Sequence, residues 1–481
     1  MNRRVLLLSP TMLPEERYGG FASVGSFLPP LGLLYLAAAV GDRCVVRILD
    51  GSVRPMTTDD VVSEVREFRP HVVGITVMTP TLTRALSLCR AIKKHDPEVT
   101  TVLGGPHPSA LPEETAAAPG VDFVVVGEGE RTFPELLDAL GDGAAPDFVD
   151  GLCFFREGKI VRTRARTRIR DLDAVPFPAR HLLDHTLYKP SAAHYRRKPA
   201  FSVMCGRGCP YRCTFCSCSK VFRDGVTVRR PEGVAEEIRS LVARYGAREI
   251  LLWDDTFGLS REWTLRFCEL VRPLGISWSA WMRCDLADRE RLNAMARSGC
   301  WHVSYGVESG NQGILDGIRK DQTLDQVRRA FALTREAGME ARGTFILGLP
   351  GENRYTLRET VDFAIEIKAD YAQFQFLTPY PGTELWESVP DHGRFLTGDL
   401  SKYTIWFPVY VPKGLTREDL ETALRTAYRR FYLSPSYLLR RLARIRTLED
   451  LERNLSGLKA LCGLLAADVP AVRRHPCRVA R

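Results

Sequence analysis

The sequence predicts an α/β protein in which a doubly wound, Rossmann-like parallel sheet is followed by a partial TIM-like (β/α)6 barrel and a helical C-terminal cap. Short apolar runs alternate with helical patterns over the first 140 residues, and the same alternation restarts near Ala200 and repeats six times. Such alternation is typical of parallel sheets covered by helices. The expected boundaries are 1–142 for the first domain, 143–198 for a linker rich in Gly, Pro and Arg, 199–385 for the barrel and 386–481 for the cap.

Composition excludes several classes of protein. With 45% hydrophobic and 26% charged residues, the chain is typical of globular domains. No apolar run reaches the ~18–20 residues of a membrane-spanning helix. The apolar run after Arg4 is too short for a signal peptide and is interpreted as a first buried strand. Thirteen cysteines without a secretory signal indicate reduced thiols and a cytoplasmic location.

In the first domain, one helix has a clear start signal. Thr57 and Asp60 form a capping-box pattern before the apolar face of Val61, Val65 and Phe68. The remaining elements follow from apolar runs and periodicity. Strands are expected at 4–8, 45–50, 71–78, 100–104 and 121–127, and helices at 31–40, 82–94 and 133–140.

The expected strand ends of this domain carry small and polar residues. Thr76 and Thr79 follow the third strand, Gly104-Gly105-Pro-His107 the fourth, and Gly127-Glu128-Gly129-Glu130 the fifth. Ligands of such sheets bind at the carboxyl ends of the strands. No Gly-x-Gly-x-x-Gly dinucleotide fingerprint follows the first strand, and each loop taken singly could be an ordinary turn.

Three cysteines dominate the second half: Cys209-Pro-Tyr-Arg-Cys213-Thr-Phe-Cys216. Three thiolates suit a [4Fe–4S] cluster that keeps one iron open for a small molecule. A structural zinc site that recruits Cys205 and Cys218 is an alternative, although no second knuckle follows. A disulfide framework is a weaker alternative in a long chain without a secretory signal.

The position of these cysteines agrees with the expected barrel. Its strands begin near Ala200, Glu249, Ile276, Trp301, Ala341 and Tyr371, and a capping box at Thr323 and Gln326 starts one of the helices between them. The chemistry of such barrels lies at the C-terminal ends of the strands. The cysteines follow the first strand directly, as a catalytic cluster requires.

The cysteine spacing, with Phe215 before the last thiol, resembles the signature of the radical S-adenosylmethionine (SAM) superfamily. The loops at Thr76, Gly104 and Gly127 resemble the cobalamin-binding domain that precedes many of its members. The resemblance implies a [4Fe–4S] cluster on Cys209, Cys213 and Cys216, SAM on the open iron, and cobalamin in the first domain. It places the cofactor's nucleotide tail against the loops of the first domain, at residues Thr76, Thr79, Gly104, Gly105, His107, Gly127 and Glu128.

One departure from the family concerns the cobalt ligand. Where many cobalamin proteins have Asp-x-His-x-x-Gly, this chain has Asp50-Gly-Ser52-Val-Arg-Pro55. We therefore expect cobalamin without a histidine lower ligand, a state that would favour transfer of a bound alkyl group. His107 is a weaker candidate ligand, since histidines in such loops usually form local hydrogen bonds.

By the same resemblance, later strand ends contribute a SAM pocket. Asp254 would meet the SAM amino group, although the family often has Gly-Gly-Glu there. Arg283 would pair with the SAM carboxylate, and Glu308 with the ribose hydroxyls. The segment Gly343-Thr-Phe-Ile-Leu347-Gly348 would lie beside adenine.

The C-terminal region is basic and resembles the tail of the anaerobic magnesium-protoporphyrin ester cyclases. Residues 421–481 carry 13 Lys and Arg against 5 Asp and Glu, a balance of +8 within a net charge of +9. A solvated Arg-rich surface is one interpretation. The other is a face for acidic lipids, a phosphorylated substrate or an electron donor such as flavodoxin or ferredoxin.

The leading hypothesis is a cobalamin-dependent radical SAM methyltransferase that acts on an unactivated carbon of a small metabolite or lipid. A cyclase or oxidative enzyme with the same cofactors is the alternative. A non-catalytic sensor is a further alternative, but the sequence has no helix-turn-helix candidate. We expect no nucleic acid partner. Aromatic residues that would suit an apolar substrate near the barrel mouth are Trp278, Trp281, Tyr380, Tyr403, Trp406 and Phe407.

Overall fold

A computed structural model describes residues 3–190, 194–222 and 225–442, together with residues 455, 457 and 458. None of the helices in these ranges is both long enough and apolar enough to cross a membrane. The basic run beyond residue 442 lies almost entirely outside the described residues.

The first domain is built on a seven-stranded sheet. Its strands are β1 (Arg3–Ser9), β2 (Cys44–Asp50), β3 (Val72–Thr76), β4 (Thr100–Gly104), β5 (Phe123–Val125), β6 (Leu152–Arg156) and β7 (Lys159–Arg162). They lie in the order β2-β1-β3-β4-β5-β6-β7, and β1 to β5 are parallel. Since the order reverses at β1, the sheet is doubly wound, as predicted.

Helices cover both faces of this sheet. They are α1 (Pro14–Tyr18), α2 (Leu31–Val40), α3 (Thr58–Phe68), α4 (Leu82–His95), α5 (Pro106–Ala110), α6 (Pro112–Ala116) and α7 (Gly129–Asp142). The expected capping box at Thr57 and Asp60 is confirmed at the start of α3. Two separate apolar clusters, one on each face, form the core of the domain.

The strands β6 and β7 lie within the range that we expected to be a linker. They form a hairpin that pairs antiparallel with β5 and extends the sheet. The turn between them is Glu157-Gly158, and both residues have positive φ (50° and 78°). Such a two-residue turn is the usual signal of a hairpin, but the surrounding Gly, Pro and Arg content suggested a linker instead. The extended connection to the barrel begins only after Arg162.

The second domain is an open, six-stranded parallel sheet. Its elements are β8 (Ala200–Val203), β9 (Gly206–Arg207), α8 (Cys218–Val221), β10 (Thr227–Val228), α9 (Pro231–Tyr245), β11 (Glu249–Leu252), α10 (Arg261–Val271), β12 (Ser277–Met282), α11 (Arg289–Arg297), β13 (Cys300–Glu308), α12 (Gln312–Gly317), α13 (Leu324–Glu336), β14 (Glu340–Leu347), α14 (Arg354–Glu366) and β15 (Tyr371–Phe376). The order β15-β14-β13-β12-β11-β8 matches the predicted partial barrel, and all six strand starts are within one residue of expectation. The short strands β9 and β10 pair with each other outside the sheet.

Alternation along these strands leaves the barrel interior hollow. In β14, Ala341, Phe345 and Leu347 pack outward into the main core, while Arg342 and Thr344 line a cavity. The same alternation in β15 directs Phe374 and Phe376 outward and sends the polar residues Tyr371, Gln373 and Gln375 inward. Closed barrels fill their interior with branched apolar side chains. Here the inner face carries polar groups and encloses space for ligands.

The C-terminal region contains α15 (Glu384–Glu387), α16 (Val389–His392), β16 (Gly393–Phe395), β17 (Tyr410–Pro412), α17 (Arg417–Tyr432) and α18 (Pro435–Leu442). The antiparallel pair β16–β17 was not anticipated in a region expected to be helical. Short 3₁₀ turns complete the structure at Gly19–Val24, Gly41–Arg43, Thr79–Thr81, Pro146–Phe148, Leu172–Ala174, Arg180–Leu182, His185–Leu187, Arg272–Leu274, Cys284–Leu286 and Leu400–Lys402.

Helix α17 covers the edge of the open barrel. The Tyr428 hydroxyl accepts from the amide of Phe374 (3.2 Å) and donates to its carbonyl (3.0 Å). The Tyr432 hydroxyl makes the same two bonds to Ala372 (3.1 and 2.9 Å). Backbone groups at a sheet edge otherwise need a partner strand or water. Two side chains therefore stand in for the strand that a closed barrel would have at this position.

We predict that Tyr428→Phe destabilises the protein although the ring still fits. The substitution leaves a buried amide and a buried carbonyl without partners, which costs about 1–3 kcal/mol per unsatisfied group. Urea unfolding of the purified chain measures the effect. Tyr355→Phe, at a side chain that is 69% exposed, is the matched control. Equal stability of the two variants would contradict this account of the edge.

Candidate active site

A cavity of about 1060 Å³ runs through the barrel interior. Its wall includes all three cysteines of the motif and the inner faces of β12, β14 and β15. Residues of the first domain, among them Tyr18, Leu28 and Pro29, also contribute to the wall. The cavity is therefore bordered by both domains, and the motif that predicted a cluster opens into it.

Two adjacent carboxylates hold the start of the cysteine loop, residues 204–217. Asp254 Oδ1 accepts from the amides of Cys205 (2.7 Å) and Gly206 (3.2 Å). Asp255 Oδ2 accepts from the amide of Gly208 (2.9 Å). Gly208 has a φ of 89°, and an added Cβ would come within 2.3 Å of the Gly225 carbonyl oxygen. Only glycine fits this approach, which lets the chain turn directly into Cys209.

The three thiols of the motif lie on the cavity wall. Each is partly buried there, and the Cys209 thiol lies 3.3 Å from the Thr256 hydroxyl. Among the described residues, no group of three His, Cys, Asp or Glu side chains is placed to hold a single metal ion. In a [4Fe–4S] cluster each thiolate binds a different iron, and three thiolates leave one iron open. A structural zinc ion needs four ligands, so it would have to recruit a further thiol such as Cys205 or Cys218.

The neighbouring cysteines are more deeply buried than the three thiols of the motif. Cys205 and Cys218 are buried, and all eleven cysteines that the structure describes are free thiols. Burial raises the pKa of the Cys216 thiol to about 11 and also raises that of Cys213. The metal-free thiols of Cys213 and Cys216 are therefore protonated at neutral pH, and their binding to a metal as thiolates has to release protons.

Phe215 and Arg283, both predicted to contact a cofactor, lie on the cavity wall. The Arg283 guanidinium covers the Tyr211 ring at 3.5 Å and donates from Nε to Asp285 (2.9 Å). Its Nη2 donates to the carbonyls of Lys320 (2.7 Å) and Asp321 (3.0 Å). Burial lowers the pKa of Arg283, but the attraction of Asp285 outweighs it and the net shift is upward. Arg283 therefore stays cationic beside the cysteine loop.

Glu308 also lies on this wall and is paired with a lysine that sequence reasoning missed. Lys320 Nζ donates to Glu308 Oε1 at 2.6 Å, and both side chains are 8% exposed. Glu308 has a φ of 68° at a bulge between β13 and β14, a conformation that few non-glycine residues adopt. A Cβ on Gly306 would lie 2.4 Å from Glu308 Oε1. The glycine and the bulge thus make room for a buried ion pair facing the cavity.

Two predicted SAM contacts lie elsewhere. Asp254 does not reach the cavity, and its place on the wall is taken by Asp255. Burial raises the pKa of Asp254 to about 7. The Leu347 side chain is fully buried in the outer core, and Ile346 lines the cavity instead. Strand β11 ends at Leu252, so the irregular backbone after it decides which aspartate faces inward, and alternation could not decide this from the sequence.

Only some of the aromatic residues expected near the barrel mouth line the cavity. Trp281 and Trp406 line the cavity. Trp278 is buried in the barrel core, while Tyr403, Phe407 and Tyr380 belong to a separate apolar cluster. Cavity residues that we did not foresee include Trp253, His194 and Arg342.

The Gly-Glu-Gly-Glu loop of the first domain has a role that differs from the expected one. Arg207, two residues before Cys209, donates from Nη1 to Glu128 (2.8 Å) and from Nη2 to Glu130 (2.5 Å). The three side chains are 6–9% exposed. Burial lowers the pKa of Arg207, but the two carboxylates outweigh it and raise the pKa overall. Glu128, predicted to contact a cofactor, therefore joins the first domain to the cysteine loop.

The other loops at the carboxyl edge of the first sheet lie where they were expected. Gly105 has a φ of 108° and follows Gly104 at the end of β4. His107 is buried, and its Nδ1 lies 3.1 Å from the Thr79 hydroxyl, while its Nε2 is buried without a partner. Thr76 ends β3 beside them. These residues do not line the barrel cavity.

The fit to cobalamin can be tested on these loops. A Cβ on Gly127 would meet nothing within 4 Å, and one on Gly104 would meet only Val125, at 3.8 and 3.9 Å. Open space over backbone, together with the unpartnered Nε2 of His107, suits a bulky ligand with hydrogen-bonding side groups. Ser52 donates to Asp50 Oδ1 (2.8 Å), and Tyr188 donates to Asp50 Oδ2 (3.0 Å). The absence of a histidine below cobalt stays a prediction.

Comparison with known proteins agrees with this geometry. The family model of the B12 binding domain matches residues 19–137, and that of the radical SAM superfamily matches residues 203–364. An uncharacterized methyltransferase of Pyrococcus horikoshii is 37% identical over 91% of this chain and 94% of its own length. The chain belongs to the cobalamin-dependent radical SAM family.

Other members of the family support two reaction classes. The anaerobic magnesium-protoporphyrin IX monomethyl ester cyclase of Rubrivivax gelatinosus is 31% identical over 90% of this chain and 78% of its own length. The radical SAM methyltransferase TsrM of Kitasatospora setae, solved with cobalamin and a [4Fe–4S] cluster, shares the fold with a TM-score of 0.70. It is 20% identical, over 96% of this chain and 99% of that one. The chain is thus a radical SAM enzyme whose cofactors are a [4Fe–4S] cluster, SAM and cobalamin.

We predict that Arg207→Met destabilises the enzyme strongly, because it leaves Glu128 and Glu130 buried without a counter-charge. Breaking a buried ion pair by removing one partner costs about 3–5 kcal/mol. Denaturant unfolding of the metal-free chain measures the loss. Adding Glu128→Gln and Glu130→Gln to the variant should restore most of the stability. If the triple variant is as unstable as Arg207→Met, uncompensated charge is not the cause.

A second prediction concerns pH. Burial lowers the pKa of His107 to about 4, whereas an unfolded histidine titrates near 6.5. Between these values the unfolded chain binds a proton that the native chain does not, so His107 makes the stability fall as the pH drops from 6.5 to 4. His107→Gln should make the fall shallower, by at most about 1.4 kcal/mol per pH unit.

Urea unfolding of the cofactor-free chain at pH 7, 6 and 5 measures this slope. His95→Gln, at an exposed residue near the end of α4, serves as the control. Identical slopes for the two variants would show that the buried ring of His107 does not contribute.

Proposed function

We propose that this enzyme methylates an unactivated carbon of a small metabolite or lipid. The observation that carries the proposal is the shared cavity, whose wall combines the three cysteines with side chains of the cobalamin-binding domain. A carbon without nucleophilic character cannot attack SAM directly. Its methylation therefore needs both a radical source and a separate methyl carrier beside one substrate site, and the architecture brings both domains to one space.

Different residues of the chain would bind the different cofactors. Cys209, Cys213 and Cys216 would hold the cluster. When bound, the cluster and SAM supply a 5′-deoxyadenosyl radical, and cobalamin supplies a carrier for the methyl group. The loops at Thr76, Gly104, Gly105 and Gly127 would hold cobalamin.

Asp255 takes the role that we first gave to Asp254, because it is the carboxylate on the cavity wall. It would attract the SAM ammonium group. Arg283 would attract the SAM carboxylate, since it stays cationic next to the cysteine loop. Glu308, oriented by Lys320, would accept hydrogen bonds from the ribose. The aromatic wall of Trp281 and Trp406 would keep water from the reacting carbon.

The second candidate is a cyclase or oxidative reaction without methyl transfer, favoured by the 31% identical cyclase. One experiment separates the two. The reconstituted enzyme is supplied with cobalamin, a reductant and SAM, and its products are quantified. Methyl transfer yields S-adenosylhomocysteine together with 5′-deoxyadenosine, and 5′-deoxyadenosine alone would contradict it.

We predict that Cys213→Ala abolishes formation of 5′-deoxyadenosine and keeps cobalamin binding, because the thiol and the cobalamin loops belong to different domains. Cys218→Ala is the matched control, since Cys218 is a buried neighbour outside the proposed ligand set. It should keep the iron content and the cleavage of SAM. Loss of iron in Cys218→Ala would indicate that Cys218 is a fourth thiolate ligand, as in the zinc alternative. A sensor would keep its cobalamin response in Cys213→Ala and show no SAM cleavage in the unsubstituted chain.

The electron that starts the reaction has to come from outside the chain. We propose a small acidic electron-transfer protein such as flavodoxin or ferredoxin as its donor, guided by the charge of +8 on residues 421–481. The same charge would support peripheral contact with acidic lipids. If the electron donor binds through this charge, the rate of SAM cleavage with flavodoxin should fall steeply as the salt concentration rises. A rate that does not depend on salt would contradict it.

A further inference from the structure

Arg342 is a partly buried cation on the inner wall of the barrel. It lies on the inner face of β14, level with Ser304 of β13 and Tyr371 of β15. It lines the cavity that also contains the cysteine loop. Ile346, on the same face of β14 and close to the proposed SAM pocket, is four residues farther along, roughly 13 Å at the rise of an extended strand.

The fully buried cations of the described residues all have carboxylate partners within 4 Å. These cations are Arg180, Arg207, Arg229, Arg283, Arg291 and Lys320. Arg342 has no carboxylate partner among the described residues. The nearby Glu340 is engaged by Arg441 at 3.3 Å. The hydroxyls of Tyr428 and Tyr432, which could accept from a guanidinium, are bonded to the edge of β15.

The only hydrogen-bond partner of the Arg342 side chain among the described residues is neutral. Its Nη1 donates to Nε2 of His194 at 2.5 Å. Burial lowers the pKa of His194 to about 3 and also lowers that of Arg342. Two further polar atoms of the pair, Arg342 Nε and His194 Nδ1, are buried without any partner. Because a buried charge without a counter-charge destabilises a fold, such a pair is expected where a ligand supplies the missing anion.

We propose that Arg342, supported by His194, binds an anionic group of the substrate, a carboxylate or a phosphate. This inference rests on the proposed function, whose substrate class it narrows. Arginine holds both groups through paired, charge-assisted hydrogen bonds. Trp281 and Trp253 pack against His194, with ring centroids 6.4 and 5.9 Å away. The substrate is therefore an acidic molecule with an apolar or planar body that extends from the Arg342 layer toward the cysteine loop.

The test measures binding of matched probes by calorimetry to the full chain loaded with its cofactors. Naphthalene-1-acetate and naphthalene-1-acetamide have nearly the same shape but differ in charge and report a carboxylate site, and 1-naphthyl phosphate reports a phosphate site. The better of the two acids should bind at least tenfold more tightly than the amide. Arg342→Met should abolish that preference, while Arg342→Lys should keep part of it. Arg358→Met, at a side chain 74% exposed on α14, is the control and should keep it fully.

Three binding results would overturn the inference. The first is equal binding of acid and amide by the unsubstituted chain, including no binding of either acid at millimolar concentration. The second is a preference for acid that survives Arg342→Met. The third is a matching loss of SAM affinity in that variant, which would assign the guanidinium to SAM.

Stability gives a second readout that does not depend on the probes. Removing a buried cation that lacks a partner should leave the melting temperature of the probe-free Arg342→Met chain unchanged or raise it. A clear fall would show that the guanidinium serves the fold and would overturn the inference. Formation of 5′-deoxyadenosine by the unsubstituted chain is recorded in the same preparations. If 5′-deoxyadenosine does not form, the proposed function is contradicted, but the probe-binding results for Arg342 remain valid.

Discussion

The buried contact between Arg207 and the carboxylates of Glu128 and Glu130 determines how the two domains work together. Arg207 belongs to the cysteine loop, and its partners belong to the loop after β5 in the cobalamin-binding domain. Charges this deeply buried stabilise a structure only when both sides are in place. The position of the thiols therefore depends on the docking of the first domain. Asp254 and Asp255 hold the same loop from the barrel side, so it is fixed from two directions.

The barrel is open, and its interior provides the space for ligands. A closed barrel of eight strands fills its interior with side chains, whereas six strands with polar inner faces leave a cavity. Leaving the sheet open exposes the edge of β15, and the hydroxyls of Tyr428 and Tyr432 satisfy its backbone. The same helix also lines the cavity. Fold stability and ligand space thus depend on one short stretch of aromatic residues.

Much of this could be predicted from the sequence, because the strongest signals are local. The capping boxes at Thr57 and Thr323, the strand starts of the barrel and the spacing of the three cysteines each depend on a few neighbouring residues. The alternation in β14 also follows from the sequence, although we did not use it to place Arg342. The hairpin also had a local signal, its Glu157-Gly158 turn, but the Gly, Pro and Arg content around it suggested a linker.

What could not be predicted depends on contacts between distant residues. Glu128 looked like a cofactor ligand because its partner, Arg207, lies 79 residues away. Lys320 belongs to no motif and acquires its role only by meeting Glu308. Which of Asp254 and Asp255 faces the cavity depends on the irregular backbone after β11. That Arg342 has no carboxylate partner among the described residues is visible only in the folded structure.

The central claim is that the cobalamin-binding domain holds the cysteine loop in place through Arg207. Hydrogen–deuterium exchange of peptides covering residues 204–217 tests it most directly, in the unsubstituted chain and in a variant with Glu128→Gln and Glu130→Gln. The account predicts that exchange in this loop accelerates in the variant, while exchange in strand β14 stays unchanged. Equal protection of the loop in both proteins would contradict the claim.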